Sequence, residues 1–178
     1  MQTELEAIEP KVTADMNQEL IKVFTRDEVE LALKHMEPLK APGPDGMPPI
    51  FFQSFWSMVD DDVTHAVLDC LNNCYIPHDL NHTFVTLIPK VKSPEFISEF
   101  RPISLCNVIY KLMSKVLANR LTKVLPYLVS KNQSAFHAGK VIIDNILMSF
   151  ETLHYMKHHQ SGKTGFMALK LDMSKAYD

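Results

Sequence analysis

The segment Leu169–Asp178, which reads L-K-L-D-M-S-K-A-Y-D, decides how the rest of this sequence is interpreted. From Phe166 to Asp172 the side chains alternate between an apolar and a mixed face, which is the period of a half-buried β-strand. The predicted strand ends on a carboxylate, and Tyr177 follows it closely. A single Asp at a strand end is common and often only initiates a turn or caps a helix. The remainder of the sequence decides between that role and a chemical one.

Length and composition indicate a globular chain. Its 178 residues are 46% apolar and 22% charged, enough for one domain or part of a larger one. The acidic first ten residues do not form a secretory signal, and no apolar run is long enough to span a membrane, so we expect an intracellular protein without a membrane partner. Three cysteines, an odd number, argue against disulfide partners; free buried thiols explain Cys70 and Cys74 better than zinc does.

The net charge of −3 hides a strong asymmetry. Residues 1–78 contain 14 acidic and 5 basic residues, a net charge of −9, whereas residues 79–178 contain 7 acidic and 13 basic residues, a net charge of +6. Phosphate contacts need clustered cations rather than a basic total, so the second half could bind nucleic acid. Ordinary solvated faces are the alternative, and charge alone does not decide between them.

Helices and one rigid loop are predicted in the first half. Residues 1–24 have weak periodicity and are predicted to be a linker or frayed lead-in. Thr25 and Glu28 have the spacing of a capping box, which predicts a helix to about residue 37. Two glycines and four prolines in residues 39–49 predict an irregular, stiff loop. A second helix is predicted over residues 60–73, opened by three Asp.

The second half is predicted to contain a hairpin and two longer helices. Short apolar runs at residues 83–89 and 100–105 bracket a polar turn, with Lys90 and Arg101 near its tip or edge. An apolar stripe predicts a helix from residue 108 that ends at Pro126, with a basic opposite face. A further helix is predicted over residues 142–157 with its apolar side inward.

With these blocks in order, the chain resembles the reverse transcriptase domain of non-LTR, LINE-type retrotransposons, those of plants in particular. The resemblance covers about residues 26–178. Seven stretches carry it: K-A-P-G-P-D-G at 40–46 with I-F-F-Q-S-F-W at 50–56, L-I-P-K at 87–90, F-R-P-I-S-L at 100–105, Y-K-L-M-S-K-V-L-A-N-R-L at 110–121, Q-S-A-F at 133–136, D-N-I-L at 144–147 and the L-D-x-x-K-A-Y-D ending.

The resemblance implies an RNA-directed DNA polymerase that takes an RNA template, a DNA primer and deoxynucleoside triphosphates, and holds two Mg²⁺ ions. Asp172 matches the first metal-binding, catalytic carboxylate, and the carbonyl of Met173 matches an additional ligand. Tyr177 matches the aromatic side chain under the incoming sugar. Lys90 and Arg101 match the hairpin that grips the triphosphate, where charge-assisted hydrogen bonds are strong.

The basic face of the long helix is the predicted contact with the template backbone. At residues 138–140 the family usually has Pro-Gly-Arg where this chain has Ala-Gly-Lys; Lys keeps the charge but loses the planar fork of Arg. The predicted template-binding residues are Lys111, Lys115, Arg120, Lys123 and Lys140.

The fold implied is α+β: the fingers and first palm strand of a right-hand polymerase, mostly helical and incomplete. The predicted divisions are a lead-in at 1–25, the fingers at 26–165 and the start of the palm at 166–178. The family's second metal-binding element, an aromatic-Ala-Asp-Asp hairpin, is expected beyond Asp178, so we expect the 178-residue chain alone to be inactive. The alternative is a non-catalytic remnant that at most binds nucleic acid. An active parent element is expected to work in the nucleus.

Overall fold

A computed structural model describes residues 11–130, 139, 141–158 and 166–169. Contacts divide the chain into two compact units, Met1–Leu128 and Val129–Asp178. Among the described residues, the first unit contains six α-helices and a two-stranded sheet, and the second unit contains one α-helix. The predicted α+β class, mostly helical with little sheet, is confirmed. No helix among the described residues has the length and apolarity that crossing a membrane requires.

Helices α1 (Ala14–Ile21) and α2 (Arg26–Lys34) begin at threonine caps. The Thr13 side chain accepts a hydrogen bond from the Met16 amide, and Thr25 forms the predicted capping box with Glu28. Each cap satisfies backbone N–H groups that have no partner within the helix. The prediction of a linker or frayed lead-in missed α1.

Helices α3 (Pro49–Ser54) and α4 (Trp56–Asn73) follow the proline-rich loop. Proline at the first position of α3 has the φ angle that a helix needs and gives up an N–H that would be unpaired there. Helix α4 starts at Trp56, before the predicted start at residue 60, because the residues just before the three Asp are also helical. The Gln53 amide donates to the carbonyls of Leu33 and Met36 at 2.9 and 3.0 Å, which attaches α3 to the end of α2.

The hairpin forms where the sequence predicted it. Helix α5 (His78–Asn81) leads into β1 (Thr83–Pro89), and a single 3₁₀ turn (Ile97–Glu99) precedes β2 (Phe100–Cys106). The strands are antiparallel, with Thr83 opposite Cys106 and Ile88 opposite Arg101.

Helix α6 (Val108–Leu128) completes the first unit and runs past Pro126, contrary to the prediction that it ends there. Pro126 lies in the last turn, where losing one hydrogen bond costs little. Its inner face closes a core shared with α2, α3 and α4. The core residues are Val29, Ala32, Leu33, Met36, Phe52, Val63, Val67, Cys70, Val108, Leu112, Met113 and Val116.

In the second unit, α7 (Ile142–His158) confirms the predicted helix but not the burial of its apolar side. Phe150 is 72% exposed, and Ile146 and Leu153 are exposed as well. An amphipathic helix buries its apolar stripe only against another element. Of the predicted palm strand, the structure describes residues 166–169, which lie in neither a helix nor a strand. The two strands that are described pair only with each other.

Candidate nucleic-acid interface

The hairpin carries exposed cations at its turn end. Lys90 continues the ladder beyond β1: its amide donates to the Glu99 carbonyl at 2.7 Å. Ile88, two residues earlier, is opposite Arg101, so the strand alternation gives Lys90 and Arg101 the same face. Lys90 Nζ donates to the Ser98 carbonyl at 2.9 Å, which holds it over the turn, and both cationic side chains are exposed. This agrees with the prediction that both residues lie near the tip or edge of the hairpin; their role with a nucleotide stays a prediction.

Glu99 closes the turn that presents these cations. Its carboxylate accepts from the amides of Glu95 and Phe96 at 2.6 and 3.0 Å. These amides, that of Phe96 first, lower the pKa of Glu99, because hydrogen bonds from N–H groups favour the ionised form. At neutral pH the turn is therefore tied by a charged acceptor.

The proline- and glycine-rich loop, which we define as residues 38–48, folds against the junction of β2 and α6. The Gly46 amide donates to the Gly43 carbonyl at 3.0 Å, and Gly46 has a φ of 70°, which glycine adopts without strain. The Asp45 amide donates to Asn107 Oδ1 at 3.3 Å, and Lys111 Nζ donates to the Ala41 carbonyl at 2.6 Å. The loop is thus fixed on the body of the unit, whereas its composition predicted only that it would be irregular and stiff.

A basic cleft lies between this loop, the end of β2 and the first half of α6. Its volume is about 390 Å³, and Lys40, Lys111 and Lys115 line it together with His35. Lys40 is exposed, whereas Lys111 and Lys115 are half-buried. Among the described residues that line the cleft, none is acidic. Clustered ammonium groups without a neighbouring carboxylate suit a phosphate group.

Arg120 does not belong to this surface, contrary to the prediction. It is 7% exposed. Its Nε and one terminal nitrogen donate to the Glu28 carboxylate at 2.7 and 2.8 Å, and the terminal nitrogens also donate to the carbonyls of Leu20, Lys22 and Val23. All five guanidinium N–H groups therefore have a protein partner and none is free for a template phosphate.

The partners of Arg120 explain why α1 is folded onto the unit. The guanidinium carbon lies 3.6 Å from the centroid of the Phe24 ring, a cation–π contact. The hydrogen bond from Arg120 is the largest cause that lowers the pKa of Glu28, and the Thr25 amide adds to it. The predicted template residue is thus a structural clamp between α1, α2 and α6.

The remaining predicted site residues divide between two groups. Lys123 is exposed but lines a different cleft, beside α1, so it is not part of the basic cleft. Lys140, Asp172, Met173 and Tyr177 lie outside the described residues. Within the described residues there is no group of three or more His, Cys, Asp or Glu that could hold a metal ion.

Sequence reasoning missed Lys40 as a neighbour of the helix lysines. The residue was quoted only as the first of the K-A-P-G-P-D-G stretch, although a rigid loop that begins with a cation was a usable signal. What placed it beside Lys115 is the folding of the loop onto α6, which depends on Asn107 and Lys111 and has no signature in local sequence.

Comparison with known proteins finds two transposon proteins that are similar to this chain. The chain is 30% identical over 171 residues, 95% of its length, to the transposon TX1 uncharacterized 149 kDa protein of Xenopus laevis. It is 27% identical over 152 residues, 85% of its length, to the retrovirus-related Pol polyprotein from the type-2 retrotransposable element R2DM of Drosophila melanogaster. The chain spans 13% and 14% of these two relatives.

The family match covers the hairpin cations, the whole of the long helix α6 and the segment that ends in Asp178. Residues 88–178 match the family described as reverse transcriptase (RNA-dependent DNA polymerase). Together with the transposon relatives, this confirms the predicted resemblance to a LINE-type reverse transcriptase domain; the likeness to plant elements stays a prediction. The chain belongs to the reverse transcriptase family.

Proposed function

We propose that this chain is the part of a LINE-type RNA-directed DNA polymerase that contacts template and nucleotide phosphates. The observation that carries the proposal is the basic cleft: three lysines without an acidic neighbour among its described lining, at the root of a hairpin with further exposed cations. The polymerase named by the family uses an RNA template, a primer and deoxynucleoside triphosphates, all of which present phosphates.

The hairpin cations suit a nucleoside triphosphate. Arg101 has a planar fork of N–H groups that can bond two phosphate oxygens, and it is exposed at the strand end. Lys90 supplies an ammonium charge over the turn next to it, where its bond to the Ser98 carbonyl leaves two N–H groups for a phosphate. Neither residue has a carboxylate partner among the described ion pairs, so both charges are available to a ligand.

The cleft suits the nucleic-acid backbone. Lys40 and Lys115 are the cations we assign to it, and Lys111 contributes its remaining N–H groups while it holds the loop. Lys123 and Lys140 stay in the proposed template set, whereas Arg120 leaves it because its N–H groups are all used. Such contacts are independent of base sequence and weaken with salt, because binding releases condensed counterions.

Asp172 is the proposed metal ligand and catalytic carboxylate, with Met173 and Tyr177 beside it. Mg²⁺ prefers hard oxygen ligands such as a carboxylate and a backbone carbonyl, so the residue types at 172 and 173 fit it. When bound, two such ions would neutralise charge on the attacking and leaving oxygens. The chain's own contribution is to bind and orient the phosphates through Lys90 and Arg101.

The first test measures RNA affinity of the 178-residue chain across a salt series, with single-stranded RNA of random sequence. We expect weak binding with a log–log slope that becomes less steep by about 1.4 in the Lys40→Ala/Lys115→Ala variant, at about 0.7 per phosphate contact. The matched control is Lys22→Ala/Lys34→Ala, which removes the same charge from lysines paired with Glu19 and Glu30. Equal slopes for all three proteins would reject the cleft as the binding site.

The second test asks whether the 178-residue chain is catalytic on its own. A fragment of the enzyme and the alternative, a non-catalytic nucleic-acid-binding remnant, both predict RNA binding without extension; they differ in whether a longer protein that carries residues 1–178 extends a primer. We expect the 178-residue chain alone to bind RNA without extending a primer, since it spans about one seventh of its transposon relatives. Mg²⁺-dependent extension by the isolated chain that survives Asp172→Ala would contradict the role of Asp172.

A further inference from the structure

The orientation of the hairpin is not explained by packing of its faces. Phe84 is 53% exposed on one face and Val85 is 60% exposed on the other. A two-stranded sheet with both faces in solvent has little apolar contact to hold it in one direction. Within the part of the chain that the structure describes, its attachment must therefore be sought at its root, where β1 enters from α5 and β2 leaves into α6.

Asn107 is the residue at that root. It is the single residue between β2 and α6, and it is 7% exposed. Its backbone carbonyl accepts from the Lys111 amide at 3.1 Å and begins the helix. Its side-chain Oδ1 accepts from the Asp45 amide at 3.3 Å. The buried amide side chain thus joins the loop of residues 38–48 to the point where strand becomes helix.

Gly43 brings the loop into direct contact with the same residue. A Cβ atom at Gly43 would lie 2.4 Å from the Asn107 backbone nitrogen, 2.5 Å from the Cys106 carbonyl carbon and 2.6 Å from Asn107 Oδ1. Two of these three neighbours are backbone atoms of the strand–helix junction, which cannot move aside without moving β2 or α6. The glycine is required by this close approach.

Lys111 supplies the third attachment, one turn into α6. Its Nζ donates to the Ala41 carbonyl at 2.6 Å, on the side of the loop that precedes Gly43. Asp45 and Ala41 are therefore held on either side of the contact at Gly43. With three separate points of attachment, the loop cannot pivot about a single bond.

We propose that the loop of residues 38–48 locks the direction in which the hairpin leaves the helical body, with Asn107 and Gly43 as the positioning residues and Lys111 as a second tether. The direction of the hairpin then fixes where Lys90 and Arg101 are presented relative to the basic cleft. This consequence for phosphate binding rests on the proposed function, whereas the locked orientation itself does not.

The test is the orientation of the hairpin in solution, read from amide residual dipolar couplings of the 178-residue chain. In the wild type, amides of residues 83–106 and those of α2, α4 and α6 are expected to fit one alignment tensor. In Asn107→Ala and in Gly43→Ala, we expect the couplings of the hairpin to fall to less than half of their wild-type size, while those of the helices are unchanged. Asn107→Asp keeps the acceptor oxygen and should restore them.

The chain offers matched controls. Gly46→Ala places a methyl group where nothing lies within 4 Å, so it strains one backbone angle without a clash and should leave the hairpin couplings intact. Lys111→Met removes the tether from the helix surface without touching Asn107, and should reduce the couplings in part. Lys115→Met, one turn further along the same helix, should not. If the Asn107 variants do not fold, the comparison of Lys111→Met with Lys115→Met still tests the proposal.

Two results would overturn the proposal. One is a wild-type hairpin whose couplings are already scaled down relative to the helices. The other is an Asn107→Ala or Lys111→Met protein whose hairpin couplings stay at full size. Neither result depends on RNA binding, so failure of the lock and failure of the proposed function are distinguished by the salt series described above.

Discussion

Replacing Arg120 by alanine is expected to destabilise the first unit strongly. The side chain is buried, pairs with Glu28 and donates to three carbonyls that end α1. Removing one partner of a buried ion pair costs about 3–5 kcal/mol, because the remaining charge loses its compensation. The Glu28 side chain is 30% exposed, and Leu20, Lys22 and Val23 border a cleft of about 510 Å³ that water can enter.

Water can therefore hydrate part of the Glu28 carboxylate and of the three carbonyls that lose Arg120. We expect the free energy of unfolding to fall by about 3 kcal/mol, near the lower end of that range. That is about a 150-fold change in the unfolding equilibrium and a large share of the stability of a typical domain, about 5–15 kcal/mol. The assay is urea unfolding followed by the fluorescence of Trp56, the chain's single tryptophan, which lies in the first unit and donates to Glu30.

Two variants serve as controls. Lys123→Ala removes an exposed cation from the same helix and should change the unfolding free energy by less than about 0.5 kcal/mol. Arg120→Lys keeps the charge but has three N–H donors in place of five, so it should recover less than half of the unfolding free energy that Arg120→Ala loses. An Arg120→Ala protein within about 0.5 kcal/mol of wild type would refute the clamp and return Arg120 to the predicted template set.

Two further predictions follow from the pKa shifts. The pKa of Glu28 is lowered below its ordinary 4.5, so the stability that its charge contributes is present at neutral pH and is lost as the pH falls below 4.5 through the folded-state pKa. Glu28→Gln should therefore flatten the acid limb of a curve of unfolding free energy against pH. An unchanged acid limb would contradict the pairing of Glu28 with Arg120. Burial raises the pKa of the Cys70 thiol, whereas Cys74 is exposed, so a thiol reagent at neutral pH should modify Cys74 first; faster modification of Cys70 would contradict its burial.

Much of the fold was predictable because local signals decide it. The hairpin strands are bounded by proline and turn residues, and the observed strands Thr83–Pro89 and Phe100–Cys106 agree with the prediction to within one residue. The capping box of Thr25 and Glu28 is a complete signal in four residues. Each of these elements follows from chemistry contained in its own segment.

Arg120 was misassigned because residue type was given more weight than position. Val116 and Val124 lie four residues to either side of it and are both buried, so the helical period already placed Arg120 on the inner stripe. A charged residue there needs a buried partner, but Glu28 is 92 residues away and was already assigned to the capping box. Helix α1 was missed for the same reason, since the clamp that holds it is non-local.

The basic cleft could be predicted only in part. Lys111 and Lys115 were identified from the helix face, whereas Lys40 reaches them because Gly43 allows the loop to contact Asn107. A glycine in a proline-rich loop predicts a turn, but not which backbone lies against it. The arrangement therefore depends on a tertiary contact between residues about sixty positions apart.

The most direct test of the central claim is RNA-templated primer extension by a protein that carries residues 1–178 together with the rest of a polymerase domain. We predict Mg²⁺-dependent extension that Asp172→Ala abolishes and that Arg101→Ala weakens mainly through a higher KM for the nucleotide. Lys34→Ala, a surface lysine paired with Glu30, is the control and should leave both constants unchanged. Extension that is unaffected by Asp172→Ala would contradict the account.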